Sequence, residues 1–252
     1  MLGATCITGE AFMSAKPLSV QHYFESLDAR EMCRYTHGEA ARYLGVPEST
    51  IRAWFVGTTY GTQPNRRIFR PILKPASPML LSFYDIASAH VLVALKNKGA
   101  RTEDIRLAVE SVQKERPDSR YPLLGMKFFM FGRDVIIKQV GLRLNLSKGR
   151  QLGLKNIMDK FLSRLELDSK GMPLRFAPIK GRAERLKGSG FIVIDPDLSA
   201  GRPVIKGTGV AAEVISKRKN SGESLTVLAR DYRVSRRAIE EAVKYFQTAK
   251  AA

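Results

Sequence analysis

Ser49, Thr50 and Arg52 stand together just after Pro47. Two hydroxyls and a guanidinium in the opening turns of a helix are donors of the kind that read base edges, arginine with guanine above all. A second group is cationic: Arg66, Arg67, Arg70 and Lys74, with Ile68 and Phe69 among them. Such a group suits phosphate oxygens. Chemistry of other kinds finds little material. Asp195 and Asp197 flank Pro196, the usual composition of a turn, with no nucleophile or metal-ligand pattern beside them. Gly188 and Gly190 do not open a helix after a strand, so they make no phosphate loop. Cys6 and Cys33 form no paired motif, and His22, His37 and His90 are scattered. We therefore expect no catalytic site, no metal and no cofactor.

The elements that must position these residues are legible. Thr36 and Glu39 have capping-box spacing and set the start of a helix whose inner face is Ala40, Ala41 and Leu44. Gly45 permits a turn, and Pro47 suits the first position of a second helix that buries Ile51, Trp54 and Phe55. This is a helix-turn-helix template, and Thr36 joins Ser49, Thr50 and Arg52 among its DNA-facing candidates. Shifted by 188 positions the template returns as Leu228, Ala229, Tyr232, Arg233, Val234, Ile239 and Ala242. Ser235 can cap the final helix there, with Arg236 and Arg237 at its open end. Those three are DNA candidates too, although Glu240 and Glu241 beside them would repel phosphate, and helix-turn-helix units also serve as protein-binding folds. Which of the two units reads DNA and which binds protein stays open.

After the first template, Gly57, Gly61 and Pro64 precede the alternating run Arg66–Arg70, which reads as a β-hairpin with Arg66, Ile68 and Arg70 on one face. Ser82–Asn97 and Thr102–Lys114 are helical by pattern. Further on, Lys127–Phe131, Val135–Lys138 and Leu142–Leu146 read as short strands. Gln151–Leu165 reads as an amphipathic helix with Leu154, Ile157, Phe161, Leu162 and Leu165 on one stripe. That stripe is core or a dimer seam, and we assign it to a homodimer because single helix-turn-helix units usually double up on a palindrome. Residues 180–190 read as a linker, Phe191–Ile194 as a strand, and a helix is expected near Val214–Asn220. The expected fold is mainly α with small β-hairpins: two helix-turn-helix units around a small α+β middle segment. The segments are an arm at 1–32, where Met13 and Met32 are alternative start sites, a first domain at 33–116, a basic segment at 117–190 and a second domain at 191–252.

The run from Thr36 to Trp54, the basic hairpin and the following helix pair resemble the winged helix of MerR-type regulators over residues 33–116. Asp195-Pro196, the Gly201–Thr208 run, Gly222-Glu223-Ser224 and Asp231-Tyr232 are similar to the antitoxin family called domain of unknown function 433, over residues 191–247. Departures occur at Gly209, where the family has arginine, at Ala211, where it has proline, and at the hinge residue Arg233. A positive φ at Arg233 would cost ~1 kcal/mol. The second resemblance implies a VapB-like antitoxin beside a PIN-type ribonuclease. It further implies that Arg202, Lys206 and Arg218 could meet the toxin's carboxylates.

Charge fits a polyanionic partner: 42 basic against 24 acidic residues give +18. No apolar run reaches membrane length and the N-terminus has no signal-peptide pattern, so a reducing cytoplasm is expected. The resulting expectation is an antitoxin that binds its own operator as an autorepressor and neutralises a PIN-like ribonuclease. The alternatives are an effector-responsive MerR-like transcription regulator and a recombination-accessory DNA-binding protein.

Overall fold

Thr36 and Glu39 form the expected capping box: the Glu39 amide donates to Thr36 Oγ1 at 3.1 Å, and the Thr36 amide donates to Glu39 Oε2 at 2.9 Å. The computed structural model describes residues 28–61, 67–97, 100–115, 117, 119–125, 159, 162–178 and 190–250. Helix α1 spans His37–Leu44, α2 Glu48–Phe55, α3 Phe83–Lys96 and α4 Thr102–Glu115. Strands β1 (Thr58–Tyr60) and β2 (Arg67–Phe69) form an antiparallel hairpin after α2. A second antiparallel sheet has the order β3 (Leu165–Leu167), β4 (Pro173–Phe176), β5 (Ile192–Ile194) and β6 (Pro203–Ile205). Helices α5 (Ala212–Asn220), α6 (Leu225–Asp231) and α7 (Arg236–Lys250) follow. The described residues thus form a mainly helical α+β fold containing helix-turn-helix units.

The two hinges are built alike, bond for bond. In the first, Gly45 N–H donates to Arg42 O and Val46 N–H to Ala41 O, closing a Schellman turn at a residue with φ 63°. In the second, Arg233 N–H donates to Arg230 O and Val234 N–H to Ala229 O, with φ 53° at Arg233. Ile51 and Ile239, equivalent under the 188-residue shift, are both fully buried. Pro47 differs slightly from expectation. It occupies the N-cap of α2, at φ −60° and ψ 144°, one place before the first helical residue.

Helix α3 begins at a second capping box, in which Asp85 Oδ2 accepts from the amide and hydroxyl of Ser82. It is buried on every side, and the His90 ring packs on Phe176 of β4 with centroids 4.8 Å apart. One apolar core therefore joins α1–α4 to Leu162, Leu165, Phe176 and Ile194. A second core gathers Ile192, Ile205 and the inner faces of α5–α7. Strand β5 contributes to both.

The middle segment departs from expectation where it is described. Leu165 opens β3 opposite Phe176 instead of ending the expected helix. Sheet pairing wins because Leu165-Glu166-Leu167 has the strand period as well. Leu162 and Leu165 are buried in this chain's own core, while Leu154, Ile157 and Phe161 lie outside the described residues, as do the three strands expected between Lys127 and Leu146. In α7, Ala238, Ile239, Ala242, Val243 and Tyr245 face inward, and Phe246 is half-buried.

Two measurements test this account. Burial, outweighing the hydrogen bonds from Ser82, pushes the Asp85 carboxyl up to about 6. Its stabilising contribution is full below the ordinary aspartate range near 4 and is lost as pH rises through about 6. Urea unfolding of Asp85→Asn should therefore gain on the wild type across that window, and parallel curves would count against it. Arg233→Gly should raise the unfolding free energy by up to about 1 kcal/mol by relieving a left-handed side-chain residue. No gain in urea midpoint would show that the hinge is unstrained.

Candidate nucleic-acid interface

Burial of Ile51, Trp54 and Phe55 fixes the rotation of α2, and that rotation turns Glu48, Ser49 and Arg52 outward, with Thr50 half-buried. Arg52 lies 3.7 Å from Glu48 in an exposed i,i+4 pair. Such pairs contribute little, so the guanidinium can leave for a stronger acceptor. His37 sits under this end of the helix, at the start of α1. Burial first, then the Arg52 charge, lowers its pKa, and its Nε2 is buried without a hydrogen-bond partner.

The hairpin is anchored to the same helix. Trp54 O at the end of α2 accepts from the amides of Ile72 and Leu73, at 2.8 and 3.0 Å. Gly57, at φ 84°, turns the chain into β1. A Cβ there would stand 2.6 Å from Phe69 O, so the position needs glycine. Arg106 of α4 braces the far strand: its guanidinium donates to the carbonyls of Arg70 and Pro71 and lies 4.7 Å from the Phe69 ring centre. Phe69 packs on the core, leaving Ile68 and Arg70 exposed. Lys74 is exposed further along. The backbone of Arg67 lies in β2, and Arg66 is outside the described residues.

Ser49, Thr50, Arg52, Arg70 and Lys74 thus lie on α2 and on the hairpin segment tied to it. Thr36 has a different task, since its hydroxyl is engaged in the α1 cap.

At the second hinge, Ser235 Oγ accepts from Ala238 N–H and caps α7. Arg236 pairs with Glu240 at 3.0 Å, and Arg237 lies over the Phe191 ring. Of the cations expected to meet toxin carboxylates, Arg218 is held by Glu223 and Asp231 and stacks on Tyr232. Lys206 pairs with Glu166, a carboxylate that also receives Arg175 and is held below its usual range by Lys206 first. Both therefore latch parts of this chain together. Arg202 remains largely exposed, with Glu213 at 4.0 Å.

The pattern of the sequence did not single out Arg106 or Tyr245. Tyr245 carried a usable signal, being three residues beyond Ala242 on the same helical face. Arg106 carried none, because its partners are main-chain carbonyls 35 and 36 residues away. No group of three or more metal-ligating side chains occurs among the described residues, and none of their helices is long and apolar enough to cross a membrane.

Fold and exposed residues define a protein with two helix-turn-helix units, one of them flanked by a basic hairpin. Comparison with known proteins agrees. Residues 33–109 match a family described as "Putative DNA-binding HTH domain", and residues 192–246 match "Protein of unknown function (DUF433)". The chain is 24% identical over 231 residues to "Putative antitoxin VapB45" of Mycobacterium tuberculosis, covering 83% of this chain and 92% of that protein. It also shares its fold with the crystal structure of Rv2018 from M. tuberculosis. The TM-score there is 0.61 at 22% identity, over 84% of this chain and 98% of the other.

Arg106→Ala should free the hairpin. Amide exchange of the β1–β2 pairs should quicken about ten-fold, since bonds from a charged donor contribute on the order of 1 to 2 kcal/mol. Unchanged protection would show that the Arg106 bonds do not hold the hairpin.

Proposed function

We propose that this protein is the antitoxin of a type II toxin–antitoxin module, which represses its own operon and neutralises a PIN-like ribonuclease. The observation that carries this reading is the extent of the likeness to a mycobacterial antitoxin. It covers 83% of this chain and 92% of that relative's length. Within this reading the first unit is a MerR-like winged helix. Ser49, Thr50 and Arg52 enter the major groove, and Arg66, Arg67, Arg70 and Lys74 pair with phosphates. The whole chain works as a homodimer in the cytoplasm on a palindromic operator.

The second unit holds the toxin. Of its cations Arg202 is the best placed, because its acidic neighbour is distant and its side chain is 65% exposed. Charge-assisted pairs from arginine to the clustered carboxylates of a metal-dependent ribonuclease are among the stronger polar contacts. Arg236 and Arg237 belong to this unit's surface, and the stacking of Arg237 on Phe191 makes it a poorer reader of DNA than Arg52.

Co-expression with the adjacent reading frame should rescue growth and yield a co-purifying complex, and Arg202→Glu should abolish rescue while operator binding persists. A neighbour that is not toxic, or is not rescued, removes the antitoxin reading. On the DNA side, Arg52→Ala should lose ~1–3 kcal/mol on the native upstream region and little on unrelated sequence. Arg70→Ala should weaken all sequences alike and reduce the salt slope by about one. If Arg52→Ala binds its operator like the wild type, α2 does not read the bases.

A further inference from the structure

Ile68 is 75% exposed on β2, close to Arg70 on the hairpin segment. Its cross-strand partner Thr59 is also exposed, whereas the next residue, Phe69, turns onto the core under Arg106. The strand alternation therefore displays Ile68 on the same side as Arg70, away from the protein. Three restraints hold it there: the Arg106 bonds to the carbonyls of Arg70 and Pro71, the Ile72 and Leu73 amides on Trp54 O, and the glycine-only turn at Gly57. A β-branched side chain on a braced strand is stiff at χ1, so it loses little freedom on entering a groove.

We propose that Ile68 is an apolar specificity contact that packs against the deoxyribose walls of the minor groove, beside phosphates held by Arg70. This rests on the DNA-binding reading of the first unit and adds a non-ionic component to it. Basic neighbours deliver the strand to the sugar–phosphate backbone, and between them the isoleucine can exclude groove water and add an apolar contact that cations do not supply.

The full-length chain is titrated by fluorescence anisotropy with its native upstream DNA over a range of salt. Ile68→Ala should lower affinity about ten-fold at every salt concentration with the slope unchanged. Ile68→Val should keep most of the affinity, whereas Arg70→Ala should flatten the slope. Because Ile68 is exposed, the variants should share the wild-type thermal midpoint and sedimentation behaviour. Inosine·cytosine pairs substituted for A·T pairs, block by block, preserve the minor-groove face and should leave the Ile68 effect intact.

Wild-type affinity in Ile68→Ala overturns the proposal, as does an Ile68 effect that disappears with inosine substitution, which would place the side chain in the major groove. A change of oligomeric mass in Ile68→Ala also overturns it, making the residue a protein contact. Failure of the wild type to bind its upstream DNA is a separate result: it removes the DNA-binding reading itself.

Discussion

A helix buried on every side must be covered on every side, and α3 is such a helix, with Phe83 to Leu95 all buried. An amphipathic helix is satisfied by one neighbouring layer, but this one exposes no face that water would accept. Helices α1, α2 and α4 cover part of it, and the sheet supplies more cover where Phe176 meets His90. That demand draws β3 and β4 onto the first helix-turn-helix unit. Since β4 pairs with β5 at Phe176 and Ile194, the first strand of the second unit is drawn in as well. The two units are thereby joined through a shared sheet as well as by the chain between them.

Side-chain contacts between distant parts of the chain reinforce the sheet. Arg34 donates to Pro196 O, and Arg30 pairs with Asp168 at 2.8 Å. The turn at Ser199, Ala200 and Gly201 runs through three consecutive left-handed residues, with φ 47°, 54° and 75°. It presents Gly201 so close to Tyr35 that a Cβ would stand 2.0 Å from the phenol oxygen. Two left-handed residues with side chains are costly. The bond from Ser199 Oγ to Gly209 O offsets part of that cost. Tyr245 of α7 is buried near enough to Tyr43 and Arg42 of α1 to feel their charges, and burial raises its pKa well above the ordinary value. These contacts fix the rear of the first unit and leave the exposed face of α2 and the hairpin free.

The same hinge serves two helices with opposite charge order. In α2 the acid comes first, Glu48 before Arg52, which suits the positive end of a helix. In α7 the bases come first, Arg236 before Glu240, against the dipole.

The sequence by itself determined the local structure: the caps at Thr36 and Ser235, the paired hinges at Gly45 and Arg233, and the helices around them. Each depends on interactions within a few residues, so spacing and residue type suffice to specify it. The outward set Ser49, Arg52 and Arg70 was also legible, because an apolar face fixes its polar opposite by helix or strand period. Tertiary structure alone decided which cations are available. Arg218, Lys206 and Arg202 look equivalent in sequence, yet the first two are closely paired with Glu223, Asp231 and Glu166, whereas Arg202 has Glu213 no nearer than 4.0 Å. It also decided that Leu165 pairs in a sheet and that Arg106 braces the hairpin. Those outcomes depend on groups brought together from distant parts of the chain, and no local period encodes such a meeting.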